Sequence, residues 1–464
     1  MTYEIAVDKK YLSYYNFFLE AFKVLEPQTP FVSNWHIKFV CNVLQAETYR
    51  ILANKPSKGD LIINVPFRTG KSYITTIVYP VWSWIINPHM GFLTVSYSSA
   101  LSTEHARKSR QLIQSDWFQE NFGHIFEMTG DQNVKSNYEN DKGGKRFATS
   151  TTATATGTGG DVIILDDPLN PKEASSEVER SRANTAYSET FYSRTKNPHT
   201  AIRIIVMQRL HEDDLSGYLL KKEGYRHICI PGELTNEVKP TKLRDKYKDG
   251  LFWPTRFTQN LLDKFKVELG SVGYAGQILQ TPTPPSGNIF KKEWFGIVHE
   301  LPQNATWHVK VDPAYTSKSE NDPTAVMCYA WHDNFLYIRN VETVRLEFPQ
   351  LVTFLKSYAH NHGLSRQSKI YIEPKASGKS IVQQLRSETG LNVLEDKPPE
   401  RDKVSRANAV SAKVEAGRVK LLAGGWNDRF LGEVIQFPYA KHDDQVDVMV
   451  MALNDEQKTT FFAL

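Results

Sequence analysis

The chain has 464 residues, 40% apolar and 23% charged, with 56 Lys and Arg against 52 Asp and Glu. At roughly 150 residues per domain this length allows two or three domains with cores of their own. The composition excludes disordered and fibrous classes, and a formal charge of +4 is too small to announce a nucleic-acid partner by itself.

The start of the chain mixes Glu4, Asp8, Lys9 and Lys10 without an apolar signal core, so no secretory address is expected. The longest apolar run, Ile74 to Ile86, is too short for a bilayer and is broken by Thr, Tyr, Pro and Ser. Cys41, Cys229 and Cys328 are odd in number and far apart, which argues against a disulfide framework or a Cys-built zinc site and fits a reducing cytoplasm. No internal repeat suggests a solenoid or propeller.

In chain order, Leu61 to Val65 reads as a strand, followed by a Gly-Lys-Ser turn and an apolar helix. Gly91 to Ser96 is a second strand, leading into a polar helix from Thr103 to Ile113. Gly143 to Gly160, rich in Thr, Ala and Gly, suits either a flexible loop or a short hairpin. Val162 to Leu165 and Ile202 to Val206 are further buried strands, and the alternation predicts a parallel sheet with helices on both faces. Thr281 to Gly287, rich in Pro, is a stiff connector and the best domain boundary. Beyond it, His308 to Val311, Ala325 to Ala330 and Phe335 to Arg339 read as successive antiparallel strands. A helix from Phe348 to His360, a strand from Lys369 to Ile372, further helix and a closing helix from Gln445 complete a second α/β unit.

The segment Val65-Pro-Phe-Arg-Thr-Gly-Lys-Ser72 lies between a strand and a helix, where a phosphate-binding P-loop belongs. Val65 stands where the usual pattern has its first Gly. Lys71 would reach the β- and γ-phosphates of ATP, with Thr69 and Gly70 in the same turn, and Ser72 would hold Mg²⁺. Val162-Ile-Ile-Leu-Asp-Asp167 is a buried strand ending in two carboxylates: Asp166 for Mg²⁺ and Asp167 to polarise the attacking water. Glutamate is more usual in the second role. Gln208 and Arg209, at the end of a third strand, are placed to sense the γ-phosphate. His211-Glu-Asp-Asp214 reads better as a helix cap than as a metal cluster. Gly378-Lys-Ser380 also follows a strand, but that strand ends in Glu373 and no later strand ends in Asp-Asp, so it reads as a helix start beside a different site.

That site is a second set of carboxylates. Asp312 and Glu373 end two strands, while Asp443, Asp444 and Asp447 open the last helix. Asp444 and Asp447 share a helical face. Together such groups can hold two divalent ions about 3.5–4 Å apart, one activating water and one stabilising the leaving oxygen of a phosphodiester. Separate strand and helix caps are the plainer alternative.

In this order the motifs resemble those of the large terminase subunits of tailed bacteriophages. The resemblance runs through Asn64 to Ser72, Ile163 to Pro168, Gln208 to Gly217, Tyr274 to Pro282, Gly287 to Phe290, Val311 to Ala314, Ile372 to Gly378, Glu415 to Val419 and His442 to Asp447. It implies a P-loop NTPase of RecA/ASCE-like parallel sheet over residues 1–280, with a small lid subdomain at about 215–280. A linker at 281–299 and an RNase H-like α/β nuclease over 300–464 would follow. The implied activity is ATP-driven packaging of double-stranded DNA into a procapsid, with endonucleolytic cutting of the concatemer. Carried over by position, Lys71, Ser72 and Asp166 are the nucleotide and Mg²⁺ residues, Asp167 the catalytic carboxylate, and Arg68 a further phosphate contact. Asp312, Glu373 and Asp447 are the nuclease ligands for Mg²⁺ or Mn²⁺, with Asp444 a fourth contributor. The implied partners are DNA, a portal protein, a small terminase subunit and further copies in a ring on the procapsid, all in the host cytoplasm and without a membrane. For an arginine acting on a neighbouring subunit, Arg146 and Arg110 are the options, and Thr158 lies where many relatives carry Arg. The basic stretch Lys397 to Lys420, with Lys403, Arg406, Lys413, Arg418 and Lys420, suits either DNA backbone contact or a solvated helix face. The last residues, Thr459 to Leu464, suit a docking tail or a frayed end. The rival readings are a repair-type helicase–nuclease and a nucleotide-gated assembly protein.

Overall fold

The computed structural model describes residues 7–153, 159–282, 289–313, 323–374, 378–396, 402–440 and 442–455. The chain divides into two compact units, residues 1–263 with 272–284, and residues 264–271 with 285–464. Among the described residues no helix is long and apolar enough to cross a membrane.

The first unit is built on eight strands: β1 (Asp60–Asn64), β2 (Gly91–Ser96), β3 (Met128–Val134), β4 (Asn137–Asn140), β5 (Lys145–Ser150), β6 (Val162–Asp166), β7 (Ile202–Met207) and β8 (Tyr225–Cys229). Their order across the sheet is β3-β4-β5-β2-β6-β7-β1-β8. The run from β5 to β8 is parallel, and β3 and β4 join it antiparallel. Every residue of β1, β2 and β6 is buried. Helices cover both faces of a parallel sheet, so its central strands are buried along their whole length and largely apolar. On one face Leu93, Ile163, Leu165 and Ile205 pack with Tyr187, Phe191, Leu215 and Leu219. On the other, Phe92 meets the Tyr79 ring edge-to-face at 5.9 Å.

Two local features depart from the sequence reading. The stretch from Gly143 turns a hairpin between β4 and β5, but β5 also pairs parallel with β2 from Lys145 to Ser150 and so belongs to the main sheet. Residues 154–158 lie outside the described part. The helix after the P-loop begins as a π-helix, Tyr73–Ile77, and becomes α-helical over Val78–Ile86. Pro80 lacks the N–H that would bond the carbonyl of Thr76. Arg146 supplies the missing donor, its Nη2 lying 2.8 Å from that oxygen.

The second unit carries β9 (Phe295–Val298), β10 (His308–Asp312), β11 (Thr324–His332), β12 (Phe335–Val344), β13 (Lys369–Ile372), β14 (Asn392–Glu395) and β15 (Val419–Leu422). The order is β14-β13-β10-β11-β12-β15-β9. Strands β10, β11 and β12 are antiparallel as expected, and the remaining pairs are parallel. Val309 and Val311 pack under the helices Phe348–Asn361 and Gly378–Glu388. Alternation along a strand therefore turns Lys310 and Asp312 to the opposite face. That face is covered by Lys403–Glu415, Asn427–Val434 and Asp444–Asn454.

In the first unit His36 is only 2% exposed, and burial pushes its imidazole down to about 4. The unfolded chain binds that proton near the ordinary histidine value of about 6.5, so acid favours unfolding. Stability should fall as pH drops through about 6.5 and level off near 4, losing on the order of 3 kcal/mol from this group. Urea midpoints across that range should show a shallower slope in His36→Gln.

Candidate functional site

The first site forms where β1, β6 and β7 end side by side. Beyond β1 the chain turns through Pro66 to Gly70, with Arg68 (φ 57°) and Gly70 (φ 82°) in the left-handed region. A Cβ on Gly70 would meet nothing within 4 Å, so glycine serves the backbone conformation there and the space beside it is open. Thr69 Oγ1 donates to Pro66 O at 2.7 Å, closing the turn. Lys71 Nζ lies 2.6 Å from Asp167 Oδ2.

Asp166 ends β6 and is fully buried. Its Oδ2 accepts a hydrogen bond from Thr76 Oγ1 at 2.8 Å and lies 3.5 Å from His105 Nδ1. Burial pushes the His105 imidazole below its ordinary value despite the Asp166 charge, which keeps the ring neutral. Oδ1 of Asp166 is buried without a hydrogen-bond partner. A hard, anionic oxygen in that position fits Mg²⁺. Among the described residues no hydrogen bond joins Ser72 to Asp166; the hydroxyl that does so is one turn further on, at Thr76. The π-turn supplies the reason, because it brings Thr76 inward beneath β6.

Asp167 follows directly with φ 44°, its N–H bonded to Val206 O at 2.9 Å and its carbonyl to Tyr97 N at 3.0 Å. Bonds to two neighbouring strands hold this unfavourable conformation. Burial and the Asp166 charge raise the Asp167 carboxyl, while Lys71 and the Gln208 backbone N–H oppose them. Burial works against the Lys71 ammonium, but the Asp167 and Asp166 charges outweigh it and hold its pKa above the ordinary lysine value. Lysine and carboxylate thus meet as a charged pair with little water around them.

Gln208, 5% exposed, has its side-chain Oε1 buried without a hydrogen-bond partner beside this pair. Arg209 is different. Its Nε lies 3.0 Å from both oxygens of Asp214, which also caps the helix Leu215–Leu220 through Gly217 N. Arg209 is therefore a structural strut and not a phosphate sensor, and His211 to Asp214 form a helix start. Arg146 is likewise corrected: it is fully buried, bonded to Ser109 Oγ at 2.5 Å as well as to Thr76 O, and offers nothing to a neighbouring subunit. Arg110 lies on the helix Ser99–Ile113, and Thr158 falls outside the described residues. Sequence reasoning passed over Thr76 and His105, which have no motif to mark them.

In the second unit Asp312 and Glu373 leave adjacent parallel strands at one edge, with Glu373 N bonded to Val311 O at 3.1 Å. Asp444 and Asp447 are both buried at the start of the helix Asp444–Asn454. Among the described residues, however, no three Asp, Glu, His or Cys side chains converge closely enough to hold an ion. Asp447 instead faces two cations, Lys403 Nζ and Arg406 Nη2, each at 2.9 Å, and Lys403 also pairs with Asp443. The expected ligand set is thus only partly brought together. Two cations supply the charge that an ion would bring to Asp447.

The same contacts show where part of the basic stretch is engaged. Lys403 and Arg406 serve Asp447, and Lys413 bonds Leu453 O at 2.9 Å beside the Trp331 ring. Arg406 is largely covered, while Lys403 keeps 40% of its side chain exposed. Arg418 pairs with Glu268 and Lys420 lies over the Phe335 ring, so the stretch is partly engaged within the unit, and residues 397–401 lie outside the described part. Lys310 was missed altogether. It is 1% exposed, 2.7 Å from both Asp396 and Asp455 and 4.0 Å from the centre of the Tyr371 ring. Its parity with Asp312 along β10 was the available signal. Gly378 is close-packed, since a Cβ there would lie 2.0 Å from Glu373 O.

Fold and sites together define a P-loop-type α/β unit followed by an RNase H-like unit. Residues 309–456 match the family described as the terminase RNaseH-like domain. No curated protein matches the chain. Among solved structures, the large terminase of a thermophilic bacteriophage in complex with ADP aligns over 90% of this chain and 99% of its own, at 12% identity and a TM-score of 0.50. The same terminase in another crystal structure aligns over 97% and 98%, at 13% identity and a TM-score of 0.50. The chain has the fold of a phage large terminase, and its second unit matches the terminase RNaseH-like domain.

Thr76→Val keeps the side-chain volume and removes the hydroxyl that orients Asp166. It should raise the Mg²⁺ concentration needed for half-maximal ATPase activity by about tenfold, in the range measured for residues that orient metal ligands. A magnesium titration checks this, with circular dichroism to establish that the fold is kept.

Proposed function

We propose that this chain is an ATP-driven motor that packages double-stranded viral DNA into a procapsid and cuts the concatemer with its own metal-dependent endonuclease. The observation that carries the reading is the pair of carboxylates at the end of β6 facing the P-loop lysine, Lys71 Nζ to Asp167 Oδ2 at 2.6 Å, in a chain whose later part matches the terminase RNaseH-like domain. In this reading residues 1–280 are the motor, with a lid at about 215–280, and residues 300–464 the nuclease beyond a linker at 281–299.

Lys71 exchanges Asp167 for the β- and γ-phosphates when ATP enters, with Arg68, Thr69 and Gly70 lining the same turn. Asp167, released from the lysine, accepts a hydrogen bond from the attacking water, and Gln208 orients that water beside the γ-phosphate. Asp166, through its unpartnered oxygen, and Ser72 would hold Mg²⁺, which would supply positive charge against that developing on the phosphates. The large terminase of similar fold is a complex with ADP, which supports a nucleotide in this position. In the nuclease, Asp312, Glu373, Asp444 and Asp447 would hold Mg²⁺ or Mn²⁺ once Asp447 leaves Lys403 and Arg406, and the ion would supply activated water for phosphodiester hydrolysis. The partners of this reading are a portal protein, a small terminase subunit and further copies of the chain in a ring on the procapsid, within the host cytoplasm. A repair-type helicase–nuclease, which pairs two RecA-like motor modules, is disfavoured because the second sheet has an antiparallel centre.

The two activities should separate by mutation. Lys71→Ala should lower ATP hydrolysis by about 10²-fold, as loss of a phosphate-stabilising donor does, and still cut plasmid DNA with Mn²⁺. Asp312→Ala should abolish cutting and leave ATPase intact. If either substitution spares its own activity, the corresponding assignment is wrong.

A further inference from the structure

One peptide group in the P-loop is held from behind by a buried histidine. Thr69 is 1% exposed and lies between the two left-handed residues, Arg68 and Gly70. Its carbonyl oxygen is 3.0 Å from His36 Nε2, on the helix Trp35–Leu52. The ring's other nitrogen, Nδ1, lies 2.8 Å from Asn34 Nδ2. Asn34 Nδ2 also donates to Phe252 O at 2.9 Å, and a carbonyl only accepts, so the amide nitrogen is fixed on that side. Nδ1 must therefore accept from Asn34, which leaves the proton on Nε2 to be donated to Thr69 O. Trp35 Nε1 donates to the same Phe252 oxygen at 3.0 Å, and the Phe252 and Trp253 rings pack on the imidazole at 5.3 and 5.0 Å. Every polar atom of this relay has its role set by its neighbour.

In a trans peptide the carbonyl of one residue and the N–H of the next point in opposite directions. Anchoring Thr69 O on His36 therefore turns the Gly70 N–H the other way, away from the buried imidazole. We propose that His36 is a positioning residue for nucleotide binding: by holding the Thr69 carbonyl, it presents the Gly70 N–H to the phosphates of the bound nucleotide. The inference rests on the P-loop reading of Val65 to Ser72. Burial keeps the imidazole neutral at working pH, so the tautomer, and with it the direction of the hydrogen bond, stays fixed between about pH 5 and 9.

The test uses the full chain with a fluorescent ADP as probe, comparing His36→Phe, His36→Gln and Lys71→Ala. Phenylalanine keeps the ring packing and loses the donor; glutamine keeps an N–H. His36→Phe should weaken ADP binding and raise KM for ATP by about tenfold with kcat little changed, because the Gly70 contact exists in ground and transition state alike. His36→Gln should recover most of that loss. Normal ADP affinity in folded His36→Phe, with Lys71→Ala weakened, overturns the proposal alone. Normal affinity in Lys71→Ala overturns the P-loop reading beneath it. If His36→Phe does not fold, histidine ¹⁵N shifts of the unaltered protein decide: a proton on Nε2 supports the proposal and a proton on Nδ1 overturns it.

Discussion

Carboxylates buried at the ends of sheet strands demand a positive partner, and most of this molecule's polar architecture follows from that demand. Removing an ionised carboxylate from water costs several kcal/mol unless charge or hydrogen bonds replace the solvent. At the end of β6 two such groups are adjacent. Asp167 takes Lys71, and Asp166 takes the Thr76 hydroxyl, with neutral His105 at the edge of contact and one oxygen left unpartnered. Supporting groups reach further back: Arg146 holds the carbonyl that Pro80 leaves unpaired, on the residue whose hydroxyl orients Asp166. The site is a stack of compensations, each made necessary by the one in front of it.

The second unit meets the same demand with different cations. Lys310, inside the sheet face, stands between Asp396 and Asp455, while Lys403 and Arg406 close on Asp447. A buried lysine is tolerated here because two carboxylates and an aromatic ring surround it. The contrast between the units is chemical. In the proposed function, a lysine on the P-loop would be exchanged for phosphate in the first, and the groups facing Asp447 for metal in the second. On that proposal both sites would be charged and desolvated before their ligands arrive, the preorganisation that makes electrostatic catalysis effective.

Much of this was legible in the sequence, for physical reasons that differ by residue. Val162 to Asp167 stood out because a parallel strand covered on both faces must be apolar until it reaches the sheet edge, where carboxylates are allowed. Strands β10, β11 and β12 were legible as three successive short runs with close connections. What escaped was decided by contacts distant in sequence. Arg146 looks like any exposed arginine of a basic stretch until Pro80 frees a carbonyl above it. The inward turn of Lys403 and Arg406 depends on a helix that follows much later in the chain. Thr76 and His36 carry no motif, since their importance lies in which oxygen they reach. Strand β5 was obscured because its Thr-rich continuation resembles a loop in composition.

The central claim is that cations now paired with buried carboxylates hold places that ligands take. A crystal structure of the full chain with ADP, Mg²⁺ and Mn²⁺ tests it most directly. The account predicts Lys71 Nζ on phosphate and away from Asp167, the free oxygen of Asp166 directed at the magnesium shell, and Asp447 turned from Lys403 and Arg406 to manganese. Nucleotide bound elsewhere, with the 2.6 Å contact between Lys71 and Asp167 unchanged, would contradict it.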